Sequence, residues 1–502
     1  MLTRAGDDIP VTTVTDRPPG PAHSRRRNGL PTELIECLGA TFGSRFTMSA
    51  AVCLHHGTDE SAFEPVPPDA VVFPESTEEV AKVVAACSAW RIPVIAYGAG
   101  SSIEGHLLAV EGGVCIDMSR MDKVTDIRAE DLTATAQAGV TREALNRELA
   151  QTGFFFSVDP GANATVGGMA ATAASGTNTV RYGTMRDNVL SLVVVTADGE
   201  VIRTARRAKK SSAGYCLTQL FIGSEGTLGI ITEVTVKLHP VPEAIAAAVV
   251  NFPDLKSAVN TVIQAMQMGV PLARAELLDA LTIQAINAHS RMSLTQAPTL
   301  FIEFSGSNAQ VQEQSGTLRA LAEEHGGGGF QWATRPEERN RLWTPRHHAY
   351  FACLQLRPGC RSFTTDACVP ISNLAQCIEE TVADIQSTGI QAPVFGHVGD
   401  GNFHCLLLVD PADEGEVRAA EDLSRRLMRR AIGLDGTCTG EHGVGLHKMR
   451  YLEEEHGKAT VAVMRRIKRA LDPLNIFNPG KVVDFDSAHD EVANHHDPGA
   501  GS

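Results

Sequence analysis

Asp159-Pro160-Gly161-Ala162-Asn163, then Val166-Gly167-Gly168-Met169-Ala170-Ala171-Thr172, then Ala173-Ala174-Ser175-Gly176-Thr177-Asn178 form a stretch in which almost nothing is larger than threonine. A helix without bulk on any face either packs closely against another helix or lies against a flat ligand, and this stretch alone leaves both open. Upstream, directly after a buried strand at residues 93–97, stands Tyr97-Gly98-Ala99-Gly100-Ser101-Ser102. Successive small residues let backbone N–H groups converge on a phosphate as an anion-binding nest. The loop is not the dinucleotide pattern G-x-G-x-x-G, because Ile103 holds the third glycine's place, and a plain glycine turn reads the same way. Downstream, Ile222-Gly223-Ser224-Glu225-Gly226-Thr227-Leu228-Gly229-Ile230-Ile231-Thr232 leads into an apolar strand. By itself that run is a tight strand entry.

Around these segments, residues 70–242 alternate short Val/Ile strands with helices. Ser76-Thr77-Glu78-Glu79 reads as a capping box, with Val80, Val83, Val84 and Cys87 giving the helix its apolar face. Residues 191–196 and 200–204 read as a hairpin around Asp198-Gly199. Beyond His239-Pro240-Val241-Pro242 the texture shifts to longer helices (255–268, 311–325) between strands, with Gly326–329 as a flexible corner. The expected organisation is an arm and helix at 1–54, a cofactor domain at 55–242, a substrate or cap domain at 243–430, a returning C-terminal segment at 431–486 and a disordered tail at 487–502.

Composition narrows the function. The 502 residues are 43% hydrophobic and 21% charged, ordinary globular values for a chain of more than one domain. A formal net charge of −15 leaves no basic surplus to neutralise phosphates and speaks against nucleic acid as a partner. The 11 cysteines are scattered, odd in number and never spaced C-x-x-C, the pattern of reduced thiols in a reducing compartment. No apolar run approaches the roughly 18 residues that span a bilayer. The first 30 residues carry Arg25-Arg26-Arg27 but also Asp7, Asp8 and Asp16, and lack an apolar centre. That composition argues against a secretory signal and, less strongly, against a mitochondrial transit peptide. The expected location is cytoplasmic, free or peripheral to a membrane.

A second local pattern is His397-Val398-Gly399-Asp400-Gly401-Asn402-Phe403-His404. Asp-Gly favours the centre of a two-residue hairpin turn. With Asp400-Gly401 as that centre, His397 faces His404, and directly opposed residues put their Cβ atoms about 4.5–5.5 Å apart, close enough for both imidazoles to bind one ion. Two histidines merely flanking a turn are the plainer alternative. Thr439-Gly440-Glu441-His442-Gly443-Val444-Gly445 offers a carboxylate and a further imidazole, and two His plus one carboxylate suit a catalytic divalent metal, zinc or manganese.

The three small-residue segments, in this order, resemble the FAD-binding domain of the vanillyl-alcohol oxidase flavoprotein superfamily. From about His55 to Val483 the chain resembles the branch that contains cytochrome-linked D-lactate dehydrogenases, D-2-hydroxyglutarate dehydrogenases and the D subunit of glycolate oxidase. Residues 175–178, 180–188, 356–360, 365–372 and 436–443 look most like the D-lactate enzymes. The resemblance implies an α+β fold: a two-subdomain FAD-binding domain plus a cap domain with an antiparallel sheet. It implies that Gly98, Ala99, Gly100, Ser101 and Ser102 wrap the pyrophosphate. Pro160, Gly161, Gly167, Gly168, Ala171, Thr172, Ser175, Gly176 and Asn178 then follow the pyrophosphate and flavin, and Gly229 and Ile231 support the adenine side. Asn478, in Asp472-Pro473-Leu474-Asn475-Ile476-Phe477-Asn478-Pro479-Gly480-Lys481, marks the C-terminus returning to the flavin. Some members bind FAD covalently through a histidine inside the first loop. Here that loop holds Ser101 and Ser102 and His106 lies beyond it, so the FAD is expected to be non-covalent.

The resemblance further implies that His397, His404 and Glu441 hold the metal, that His442 is the general base and that FAD accepts the hydride. Arg346, in Trp343-Thr344-Pro345-Arg346-His347, is the candidate carboxylate clamp, since a guanidinium matches a carboxylate in bidentate fashion; a surface salt bridge is its bland alternative. In hydroxyglutarate-oxidising relatives a lysine pairs the distal carboxylate where Thr364 stands here, which favours a small D-2-hydroxy acid such as D-lactate. Arg361 nearby offers a compensating charge, keeping hydroxyglutarate and glycolate as alternatives. No C-x-x-C-H haem motif or iron–sulfur spacing is present, so cytochrome c, a quinone or another flavoprotein remain open as acceptor. A metal-dependent hydrolase and a non-catalytic flavoprotein subunit are the readings from other classes.

Overall fold

Ser76 accepts a hydrogen bond from the backbone N–H of Glu79 and starts the helix Thr77–Trp90, which Arg91 ends in the left-handed conformation. Val80, Val83, Val84 and Cys87 are fully buried on its inner face. The expected capping box is only half made. The Glu79 carboxylate turns to Arg45 Nη2 at 2.6 Å and to the Glu75 N–H at 2.8 Å, because an ionic partner outcompetes a neutral N–H. The computed structural model describes residues 29–485; most of the expected N-terminal arm and the whole expected tail lie outside them.

The helix belongs to a four-stranded layer built from β1 (Phe46–Thr47), β2 (Ala70–Val72), β3 (Val94–Tyr97) and β4 (Val114–Asp117), in the order β1-β2-β4-β3. β2, β4 and β3 run parallel. A second, antiparallel sheet combines β5 (Val124–Arg128), β6 (Thr133–Gln137), β8 (Val189–Val195), β9 (Val201–Arg203) and β10 (Ile230–Lys237), in the order β5-β6-β10-β8-β9. The expected hairpin is β8–β9, with Gly199 at φ 83° in its turn. Between them β7 (Phe154–Phe155) and β11 (His239–Pro240) form a short ribbon. The short helix Val166–Ala171, capped by Thr165, buries Val166, Gly167, Met169 and Ala170 against the second sheet's core.

The third sheet has eight strands: β12 (Ala244–Asn251), β13 (Leu272–Leu278), β14 (Thr299–Gly306), β15 (Gly328–Ala333), β16 (Arg361–Thr364), β17 (Ala367–Cys368), β18 (Val394–His397) and β19 (Asn402–Val409). Its order is β15-β12-β14-β13-β18-β19-β16, with β17 also on β19, and every pairing is antiparallel. Alternation along β12 sends Ala246, Ala248 and Val250 to one core and Ala247 and Val249 to the other, so helices cover both faces. The expected flexible corner at Gly326–329 is partly strand, since β15 begins at Gly328. After the helix Glu414–Gly433 the chain recrosses to the first layer, where Phe477 bridges Val94 and the Asn478 N–H bonds the Val94 carbonyl at 2.9 Å. Among the described residues no helix is long and apolar enough to cross a membrane.

Candidate active site

The three small-residue segments meet around one cavity of about 1320 Å³. Gly98, Ala99, Gly100, Ser101 and Ser102 line it, as do Pro160, Gly161, Gly167, Gly168, Ala171, Thr172, Ser175, Gly176, Gly229, Ile231 and Asn478. Asn178 does not: its amide donates to the Ser157 carbonyl at 3.0 Å and accepts from Arg274 Nε at 2.9 Å, so it ties two segments together. A Cβ on Gly176 would stand 2.3 Å from the Asp159 carbonyl oxygen, so close packing explains that glycine. Gly161 is different. Nothing lies within 4 Å of its would-be Cβ, and at Gly168 only Thr165 Oγ1 does, at 3.1 Å. At Gly168 the capping Thr165 hydroxyl already crowds that position, but no protein neighbour demands Gly161, and the bare backbone it leaves on the cavity fits a ligand laid along it.

Into the same cavity the β18–β19 hairpin presents its histidines, in a register that differs from the expected one. Val394 pairs with Cys405 and Phe395 with His404, so the loop has four residues, 398–401, and His397 falls opposite Asn402. The Asp400 N–H closes back on the His397 carbonyl at 2.9 Å. Gly401, at φ 80°, brings its backbone so close to the Val369 carbonyl that a Cβ would lie 2.1 Å away. That docking of the neighbouring chain, invisible to the turn rule, sets the wider loop. The shift is two residues, and an even shift keeps each side chain on its face. His397 and His404 are therefore diagonal neighbours with ring centroids 5.6 Å apart.

Both rings turn Nε2 towards Glu441. Oε1 of Glu441 is 3.4 Å from His397 Nε2 and 3.1 Å from His404 Nε2, and the three ligand atoms lie within 4.8 Å of one another. The Nδ1 atoms are committed elsewhere: His397 Nδ1 to Glu276 Oε1 at 2.6 Å, His404 Nδ1 to the Thr365 carbonyl at 3.1 Å. Such partners fix the tautomer that leaves Nε2 for a metal. The donor set fits a divalent cation.

His442 lies against His404, and its Nε2 is 4.0 Å from Glu441 Oε1. Its Nδ1 faces Glu104 and Asp366 at 3.7 and 3.9 Å. Burial opposes charge on this ring, but Asp366 and the Glu104 contact outweigh it and raise its pKa above 6.5. Arg346 reaches the cavity but is not an isolated clamp: its Nε and Nη2 both donate to Glu276 Oε2, Nε at 3.0 Å. Thr364 lines the cavity; Arg361 does not, and its guanidinium lies 5.2 Å over the Phe363 ring.

Sequence reading missed Glu276, Asp366, Glu104 and Lys448. The first two are fully buried, the others 2% exposed. Glu276 sits opposite His397 on β13 and joins that ring to Arg346. A lone acid in the apolar strand Leu272–Leu278 was a usable signal, since a buried carboxylate needs partners. Nothing local distinguished the other three.

Residues 68–205 match the family model described as FAD binding domain, and residues 241–482 the one described as FAD linked oxidases, C-terminal domain. The chain belongs to the FAD-linked oxidase family. It is an FAD-dependent oxidoreductase, and the hydrolase alternative falls away. A zebrafish (Danio rerio) relative named probable D-lactate dehydrogenase, mitochondrial, is 48% identical over 96% of this chain and 98% of its own length. The Arabidopsis thaliana protein named D-lactate dehydrogenase [cytochrome], mitochondrial, is 45% identical over 90% of this chain and 80% of its own. Glycolate oxidase subunit GlcD of Bacillus subtilis is 35% identical over 85% and 91%. The fold of this oxidase is that of p-cresol methylhydroxylase, with a TM-score of 0.74 at 17% identity over 92% of this chain and 99% of the other.

Proposed function

We propose that this oxidase converts a small D-2-hydroxy acid, D-lactate, to pyruvate and passes the two electrons on to a cytochrome, a quinone or another flavoprotein. One observation carries the reading: the His397–Glu441–His404 set opens into the same cavity as the glycine cradle, with His442 stacked beside it. The D-lactate dehydrogenase names of the zebrafish and Arabidopsis relatives support the substrate, and the cytochrome label of the Arabidopsis one supports the acceptor. Their mitochondrial label leaves compartment open against the cytoplasmic reading.

When bound, FAD supplies the two-electron acceptor for the C2 hydride, and a zinc or manganese ion on His397, His404 and Glu441 supplies Lewis acidity that lowers the hydroxyl pKa. His442 Nε2, on the Glu441 side, takes the hydroxyl proton, while Glu104 and Asp366 near Nδ1 stabilise the imidazolium that forms. Arg346, already oriented by Glu276, offers its remaining donors to the substrate carboxylate. Thr364 places no cation at the cavity wall, which suits a substrate with one carboxylate. The FAD is held without a covalent bond, so acid precipitation releases it.

Anaerobic mixing of the metal-loaded enzyme with D-lactate, L-lactate, glycolate and D-2-hydroxyglutarate, following flavin absorbance, tests the reading. D-lactate is expected to reduce the flavin fastest. Faster reduction by L-lactate or by a dicarboxylate overturns it.

A further inference from the structure

Three residues past the 439–445 turn that carries Glu441, the side chain of Lys448 points into the protein and is 2% exposed. Its Nζ lies 2.9 Å from Glu104 Oε1 and 3.5 Å from Asp366 Oδ2. Glu104 follows the first glycine loop of the cofactor-binding region; Asp366 lies between β16 and β17 of the third sheet. These are the same two oxygens that face His442 Nδ1. Ammonium and imidazole thus share one pair of carboxylate oxygens contributed from two distant parts of the chain.

Each carboxylate also holds part of the turn. Asp366 Oδ2 accepts the N–H groups of Glu441 and His442, both at 2.9 Å, and the Thr439 hydroxyl at 3.0 Å, while Oδ1 takes the Asn402 amide at 2.7 Å. Glu104 Oε2 pairs with His447 Nδ1 at 2.8 Å. Two buried carboxylates facing one ring nitrogen repel each other unless a cation joins them. Asp366, His404 and His442 have metal-like spacing themselves, yet Asp366 is filled by hydrogen bonds and His404 Nδ1 is spent on Thr365. The cation standing at that carboxylate is a lysine.

We infer that Lys448 is a positioning residue for the base: by joining Glu104 to Asp366 it fixes where the His442 ring stands relative to Glu441. Lys448 does not line the cavity. The inference rests on His442 being the base of the proposed reaction.

The test uses the full-length holoenzyme carrying Lys448→Met, beside wild type, Lys448→Arg and His442→Ala. FAD and metal content per chain are expected to stay at wild-type levels. The limiting rate of flavin reduction by D-lactate should fall roughly 100-fold, the scale of a reacting group displaced by about an ångström, with its half-saturating substrate concentration changed by less than about threefold. Lys448→Arg should regain part of the rate. Hydrogen exchange should quicken in the amides of 439–445 but not in β19. A near-normal rate, or loss of FAD or metal in step with the rate, overturns the inference. Should Lys448→Met not accumulate folded, Glu104→Gln is read by the same measurements, and wild-type values there overturn it equally. If His442→Ala reduces its flavin normally, the base assignment has failed instead, and hydrogen exchange alone decides: unchanged 439–445 amides in Lys448→Met then reject the positioning role.

Discussion

His442 lies flat against His404, ring centroids 5.0 Å apart and planes diverging by 6°. The two imidazoles line the same cavity but are differently tied. His404 has Nδ1 on a backbone carbonyl and Nε2 on Glu441. His442 has Nδ1 turned to Glu104 and Asp366, with Nε2 farther from Glu441. Under the proposed function the stack separates a metal ligand from a base within one cavity, and that separation can be measured.

His397→Ala and His404→Ala should each lose the metal and most activity while keeping FAD. Both rings converge on Glu441 and neither bonds a residue of the glycine cradle, which meets the set through the Ser175 hydroxyl on Glu441 Oε2 at 2.8 Å, a contact that both variants keep. Metal analysis and flavin absorbance on the same samples check this. Full metal occupancy in both variants would reject the site.

Glu276→Gln addresses the carboxylate that orients the ligand. Glu276 is buried between His397 Nδ1 and Arg346, and losing such an outer partner typically weakens metal affinity about 10- to 100-fold. The amide is nearly isosteric, so packing survives while the charge is lost. Chelator competition measures the metal affinity, and an unchanged value would mean Glu276 serves Arg346 alone.

The site was legible in the sequence to the extent that its residues come in local motifs. Gly98–Ser102, residues 159–177 and the 397–404 and 439–445 turns were each visible, because small-residue runs and His spacing are short-range patterns. Parity made the hairpin robust: its register moved by two residues, yet both imidazoles kept one face. Asp366, Glu104 and Lys448 were not legible, because each acts through partners tens to hundreds of positions away, and Glu276 left only the sign of a lone acid in an apolar strand. Asn178 misled for the same reason, looking like part of the cradle until Arg274 and Ser157 claimed its amide. The two-residue turn failed because the backbone at Val369 docks against Gly401, a tertiary contact that turn statistics do not contain.

Thr364→Lys should narrow the preference for D-lactate over D-2-hydroxyglutarate. Thr364 lines the cavity, while Arg361 is drawn over Phe363 and away from it, so the wild-type wall offers a second carboxylate no cation from this strand. Leaving such a charge unpaired typically costs a few kcal/mol, or roughly a hundredfold in kcat/KM. Competition between the two acids for wild type and variant reads the ratio. A wild-type preference for the dicarboxylate would show that another cation reads the distal group.

His442→Ala should block flavin reduction while the metal stays bound and substrate still binds. His442 donates no nitrogen to the His397–Glu441–His404 set, so metal content should match wild type, whereas Glu441→Ala should weaken metal and substrate together. Loss of a positioned base typically slows the chemical step about 10²- to 10⁴-fold. The pH dependence follows from the same ring. A base works deprotonated, and the Asp366 and Glu104 carboxylates, outweighing the opposing effect of burial, raise the pKa of His442 above 6.5; reduction should therefore be slow at low pH and rise through that pKa to a plateau. A bound divalent cation near Nε2 opposes protonation and should move the rising limb to lower pH than in a metal-depleted sample. Rapid mixing with D-lactate across pH, for wild type and His442→Ala, follows both effects in one absorbance. If the variant retains the wild-type limb, some other group gives up its proton there and His442 is not the base.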